Sequence, residues 1–252
     1  MTFQMQRAAG FIASVASAAI LSSVFTLNAS AGVIAPDLTF TLQVNNDAPI
    51  YFFPLGEQTG ATSWHWEGSY NDAGWSMPSF SIDADEDPMI NAQMGLQNNT
   101  LVTNLYTITV ALPVAAIPGS SLIGGSVGGS LTDANQNGNA VLTYGNGGPF
   151  SALFIGMIDN IGVLGLHPGG GSVAAAFGGE TVNVPAISSG LPGPTGAGPA
   201  VAASIGIQLQ FLLTPGDSVA LSSFVVVEPV PAPAGLALLG LAGLGGRARR
   251  RA

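Results

Sequence analysis

Apolar and polar residues alternate with a period of two along several stretches of this chain. Leu38, Phe40, Leu42 and Val44 alternate with Thr39, Thr41 and Gln43. Tyr106, Ile108, Val110 and Leu112 alternate with Thr107, Thr109 and Ala111. Ile205, Ile207, Leu209, Phe211 and Leu213 do the same with Ser204, Gly206, Gln208 and Gln210. Successive side chains of a strand point to opposite faces, so each run offers one apolar face to a core and one polar face to water. Shorter runs at 79–84, 140–144, 152–157 and 219–227 predict further strands. Turn-forming groups separate them: Asn45-Asn46-Asp47, Asn98-Asn99, Asn137-Gly138, Asn146-Gly147-Gly148 and Pro215-Gly216-Asp217. Between residues 32 and 228, apolar spacings of three and four never persist long enough for a capped helix. The pattern predicts an all-β body over 32–228, a single antiparallel β-sandwich of jelly-roll type. Residues 119–129 and 168–179 are rich in glycine. Residues 185–200, with Pro185, Pro192, Pro194 and Pro199, read as a long loop inside one domain. No repeat of 20–50 residues is evident, which argues against a solenoid or propeller.

Composition narrows the function classes. The chain has 252 residues, of which 35 are Gly and 17 are Pro, with 47% hydrophobic and 8% charged. That is too apolar for a disordered chain and too rich in helix breakers for a helical one. There is no cysteine, so no disulfide braces it. The five basic residues are Arg7, Arg247, Arg249, Arg250 and Arg251, whereas all 14 carboxylates lie between 32 and 228. The body therefore carries a formal charge of −14 against −9 for the whole chain. A body without a cation is no nucleic-acid binder and lacks the lysine of a phosphate-binding loop.

The arginines belong to the two end segments. Arg7, the uncharged apolar run 8–27 and the tripeptide Ala29-Ser30-Ala31 form a secretory signal pattern, with Gly32 as the first mature residue. Residues 229–252 hold Val230-Pro231-Ala232-Pro233, a short glycine-containing apolar run at 234–244, and the cluster Arg247, Arg249, Arg250 and Arg251. A proline-stiffened spacer, an apolar helix and a basic stop would hold the arginines on the cytoplasmic side and the body outside. The apolar run is short for a permanent span, so a transient anchor fits better.

This segment resembles the PEP-CTERM sorting signal of Gram-negative bacteria, although Ala232 stands where that motif has Glu. The resemblance covers about 23 residues. It implies delivery by the export machinery, transient inner-membrane anchoring, removal of the tail by an exosortase-like enzyme, and a place at the cell surface or in an extracellular matrix beside exopolysaccharide. It implies nothing about the activity of the body.

Four groups in the body are candidates for chemistry. Asp83, Asp85, Glu86 and Asp87 place four carboxylates within five residues, and calcium is expected there before anywhere else; a solvated acidic loop is the plainer reading. Asp133, Asn135, Asn137 and Gly138 match the first half of a calcium loop, but Tyr144 stands where the twelfth-position Glu belongs, so an Asn-Gly hairpin turn is expected instead. Trp64, Trp66, Tyr70 and Trp75 are clustered; they read as core aromatics or as a stacking face for polysaccharide. On a strand, Trp64 and Trp66 share one face and His65 and Glu67 the other. Ser126 lies in a G-x-S-x-G match with Asp159 and His167 following, but that elbow needs a strand-to-helix turn.

The expected protein is not an enzyme and needs no cofactor apart from calcium at the two loops above. It is an exported structural or adhesive protein. The alternative is a carbohydrate-binding module stacking sugars on Trp64 and Trp66, and a secreted hydrolase stands behind both.

Overall fold

The computed structural model describes residues 35–145 and 152–230. In chain order the first eight strands are β1 (Thr39–Val44), β2 (Ile50–Phe52), β3 (Glu57–Gln58), β4 (Ser63–Asn71), β5 (Trp75–Asp85), β6 (Met89–Asn98), β7 (Asn104–Pro113) and β8 (Ser121–Thr132). The next eight are β9 (Ala140–Tyr144), β10 (Ala152–Ile158), β11 (Ile161–Pro168), β12 (Gly171–Ala175), β13 (Thr181–Ser189), β14 (Gly196–Gly198), β15 (Ser204–Leu213) and β16 (Ser218–Pro229). No helix occurs among the described residues. These residues all belong to one unit.

The strands form two eight-stranded antiparallel sheets. One runs β11-β10-β15-β7-β1-β2, and β9, backed by β12, shares the edge of β15 that β10 occupies. The other runs β13-β8-β16-β6-β5-β4-β3, with β14 next to β13 along β8. The polypeptide passes repeatedly between the sheets, and their inner faces share one core. Phe40, Tyr106, Ile108, Leu209 and Phe211 from the first sheet meet Trp66, Ile82, Ile90, Leu221 and Val225 from the second. Burying each such side chain contributes about 1.5–3 kcal/mol. The predicted β-sandwich is therefore the observed fold, and alternation marks its inner faces as expected.

One glycine-rich stretch forms a strand, and the stretch expected as a loop does so in part. The glycine-rich 119–129 is mostly β8, an inner strand between β16 and β13. A Cβ at Gly129 would collide with the Ala220 carbonyl oxygen on β16, so close strand approach requires glycine there. The expected loop 185–200 contains the end of β13 and all of β14. Pro185 falls where the β13–β8 register shifts between Val184 and Ile187, and Pro78 where β5–β6 shifts between Ser76 and Phe80. A proline lacks the N–H a ladder needs, and a bulge is where a sheet tolerates it.

Candidate functional site

The tryptophans point inward. Trp64, Trp66 and Trp75 are 3%, 1% and 6% exposed, and Tyr70 is half-buried. Tyr70 stacks on Phe52 at 4.1 Å and on Phe80 at 5.5 Å, while Phe40 packs against Phe52 and Phe80 at 4.8 and 5.0 Å. Since Phe40 and Phe52 come from one sheet and Tyr70 and Phe80 from the other, these rings tie the sheets together. Of the two readings of Trp64 and Trp66, core aromatics and a stacking face for polysaccharide, their burial agrees with the first and contradicts the second. His65 and Glu67 do point the other way, as alternation requires.

Aromatic surface is exposed elsewhere. Tyr51, in the middle of the edge strand β2, and Phe53, just after it, are 58% and 84% exposed, with Leu55 beyond them. They border an open groove of about 660 Å³ whose other wall is the chain from Ala35 to Phe40 and whose base includes Trp66. Among the described residues lining the groove, Asp37 is the one that carries a charge. Tyr51 and Phe53 precede the tryptophan cluster in the sequence. Their exposure follows from β2 being an edge, which alternation along a three-residue strand does not reveal.

The acidic run 83–87 does not converge. Asp83 Oδ1 lies 2.7 Å from His65 Nδ1, and Ser63 Oγ donates to Asp85 Oδ2 at 2.6 Å. Asp85 Oδ1 accepts the Asp87 N–H at 2.9 Å, closing the turn. The Asp83 hydrogen bond raises the His65 pKa above its ordinary value, outweighing burial. The Ser63 hydroxyl lowers that of Asp85. Among the described residues no three His, Cys, Asp or Glu side chains gather as a metal site.

The second loop is built differently. Asp133 is fully buried; its Oδ1 accepts the Asn137 N–H at 3.2 Å and its Oδ2 the Gly138 N–H at 2.7 Å. Asn135 Oδ1 accepts the Asn137 N–H, and Asn137 Oδ1 accepts the Asn139 N–H. So 133–139 is the turn expected before β9, closed by its own side chains. Beside it lies Asp217, also fully buried, which the sequence reading placed only in a turn. The 214–217 turn presenting it is pinned from several sides. Asn98, buried at the end of β6, donates through Nδ2 to Leu213 and Thr214 carbonyls and accepts the Thr100 N–H. Gly216 N–H donates to the Asn98 carbonyl, and Asn98 N–H to that of Asp217. Gly216 adopts φ +74°, and a Cβ there would strike the Asn135 side chain. Thr214 Oγ1 donates to Asp217 Oδ2 at 2.6 Å, whereas Asp217 Oδ1 has no hydrogen-bond partner. Burial raises the Asp217 pKa; Thr214 and the Ala134 N–H oppose this, and the neighbouring Asp133 raises it further.

The serine motif makes no triad. Ser126 is in the middle of β8, paired with Ser188 and Phe224, with no helix to follow it. Asp159 spends both oxygens on the Ala202, Ala203 and Ser204 N–H groups, and His167 Nε2 bonds the Pro185 carbonyl.

Val230 is described and exposed; it follows β16 directly, and its N–H donates to the Ser120 carbonyl at 3.2 Å. The expected signal residues Ala29, Ala31 and Gly32, and the sorting residues Pro231, Ala232, Pro233, Arg247, Arg249, Arg250 and Arg251, lie outside the described residues. Among the described residues no helix is long and apolar enough to cross a membrane. Compared with known proteins, the chain matches no family model and no curated protein.

Proposed function

We propose that the chain is an exported surface or matrix protein with a structural or adhesive role, anchored for a time by its C-terminal segment and then released by an exosortase-like enzyme. The observation that supports this reading is where the sandwich stops. Strand β16 lies inside its sheet between β8 and β6 and runs to Pro229, one residue past the expected end of the body. The Val-Pro-Ala-Pro motif starts at the next residue. Cutting the chain within or after that motif removes none of the described strands, so the mature sandwich keeps its core. Mass spectrometry of the mature protein from its native host tests the reading. A C-terminus near residue 233 is expected, and its shift back to Ala252 on deletion of the processing enzyme would identify the agent. A mature protein that ends at Ala252 in the intact host contradicts the proposal.

A second reading, glycan binding, is favoured by one observation, the pair of exposed rings Tyr51 and Phe53 bordering the groove at β2. Flat apolar ring faces beside polar backbone suit the alternating apolar and hydroxylated faces of a sugar.

A further inference from the structure

We propose that Asp133 and Asp217, brought together by the 133–139 loop and the 214–217 turn, form a calcium site. The site is independent of the sorting reading.

The argument begins with charge. Both carboxylates are fully buried. No Lys or Arg occurs between residues 8 and 246, and the ion pairs of His65 go to Asp83 and Glu67 instead. Buried carboxylates need hydrogen-bond donors on their oxygens, a positive partner, a proton or a metal ion. Asp133 has both oxygens engaged by backbone N–H donors, from Asn137 and Gly138. Asp217 has one oxygen bonded by Thr214, and the Ala134 N–H approaches the carboxylate, but the buried Oδ1 makes no hydrogen bond of good geometry. An unmet carboxylate oxygen next to a second buried carboxylate is the arrangement a hard cation satisfies.

The donor chemistry selects the ion. Side chains at the first, third and fifth loop positions, Asp133, Asn135 and Asn137, offer oxygen, and Asn139 occupies the position where such loops contribute a backbone carbonyl. Gly138 is sixth and adopts the left-handed conformation that the sharp turn needs, φ +74°. The missing twelfth-position carboxylate is replaced by Asp217 from a different strand pair, which is why the loop pattern alone looked incomplete. With oxygen donors only, and neither His nor Cys among them, the set suits calcium over zinc; its neutral amides suit calcium over magnesium, which keeps its waters.

The competing explanation is one proton shared by the two carboxyl groups, and the experiment separates them. The full chain, stripped with EDTA, is titrated with calcium chloride by calorimetry and melted with and without about 10 mM calcium. One calcium per chain is expected, with a dissociation constant of about 10⁻⁴–10⁻³ M, the range of extracellular calcium modules. The Tm should rise with calcium and not with magnesium. Asp217→Asn should weaken binding at least about tenfold, the cost of losing one charged ligand at the site. Asp87→Asn, in the other acidic run, should leave binding unchanged. Absence of both heat and Tm shift in the unmutated chain overturns the proposal, even if Asp217→Asn fails to fold. So does unaltered affinity in Asp217→Asn. A stability that ignores calcium but increases on mild acidification would assign the pair to the shared proton and likewise overturn it.

Discussion

His65 shows how one residue's chemistry is set across a strand pair. It lies opposite Asp83 in the β4–β5 register, with Nδ1 2.7 Å from the carboxylate and Nε2 3.6 Å from Glu67. The Asp83 hydrogen bond is the largest influence, and it raises the His65 pKa above 6.5 despite the opposing effect of burial. A group whose folded pKa is raised stabilises the fold fully below its unfolded pKa. That contribution is lost as pH rises through the folded value. Asp83→Asn should therefore destabilise the protein more at pH 5.5 than at pH 9. The pair is partly solvated, so the difference should be about 0.2–1 kcal/mol. Urea melts of both proteins at the two pH values measure it, and an NMR titration should place the variant's His65 pKa lower than that of the unmutated protein. A gap that is constant with pH would remove the ion pair from the account. Alternation along β4 put His65 and both tryptophans on opposite faces, but it could not say which face meets the core. Nor could it say that Asp83 lies opposite His65, because register is a property of two strands.

At the scale of elements, strands with strict alternation were legible and glycine-bearing strands were not. β1, β7 and β15 bury one face and wet the other, and their sequences say so. β8 holds Gly124, Gly125, Gly128 and Gly129, which carry no apolar signature, although it is an inner strand. β10 is buried at every position, and Ala152, Ile155 and Met157 form a small cluster apart from the main core, so it reads as a plain apolar run. The hairpin between β10 and β11 turns through Asp159 and Asn160, both with positive φ, a conformation that Asp and Asn tolerate. Sequence order had suggested Asp159 as a triad acid, where the structure makes it a turn residue. The edge strand β2 carries the element-scale prediction. It presents Tyr51 and Phe53 to solvent, and a body at −14 repels acidic glycans, so a neutral polysaccharide is the expected ligand. Tyr51→Ala and Phe53→Ala should each weaken such binding about tenfold, the loss of one apolar contact face. Affinity electrophoresis in a neutral glucan or mannan gel reads this directly. Retardation that survives both substitutions together would detach the groove from glycan binding.

For the molecule as a whole, the distribution of charge was fully legible and its local consequences were not. Counting residues gives 14 carboxylates and no Lys or Arg between 32 and 228, but only folding brings Asp133 to Asp217, 84 positions apart in the chain. Most of the other carboxylates lie on β3, β4, β5 and β16 of the second sheet and in the turns beside them, where they repel one another with no Lys or Arg to offset them. Self-repulsion of this kind destabilises the compact state relative to an expanded chain. Added salt screens it. Going from about 10 mM to about 150 mM sodium chloride shortens the screening length from about 30 Å to about 8 Å, less than the width of the sandwich. The melting temperature should therefore rise with sodium chloride. For a body of this size each kcal/mol gained is worth about 2–4 °C. The measurement is made in EDTA, so that no divalent ion contributes, and on the body without its arginine-bearing end segments, whose cations would mask the effect. Ordinary surface salt bridges weaken in salt, and a protein held by them would melt lower. With His65 as the single partner for a carboxylate among the described ion pairs, little opposes the rise. A melting temperature that falls or stays level over this range would mean that the surface carboxylates are already neutralised by something other than the chain's own side chains.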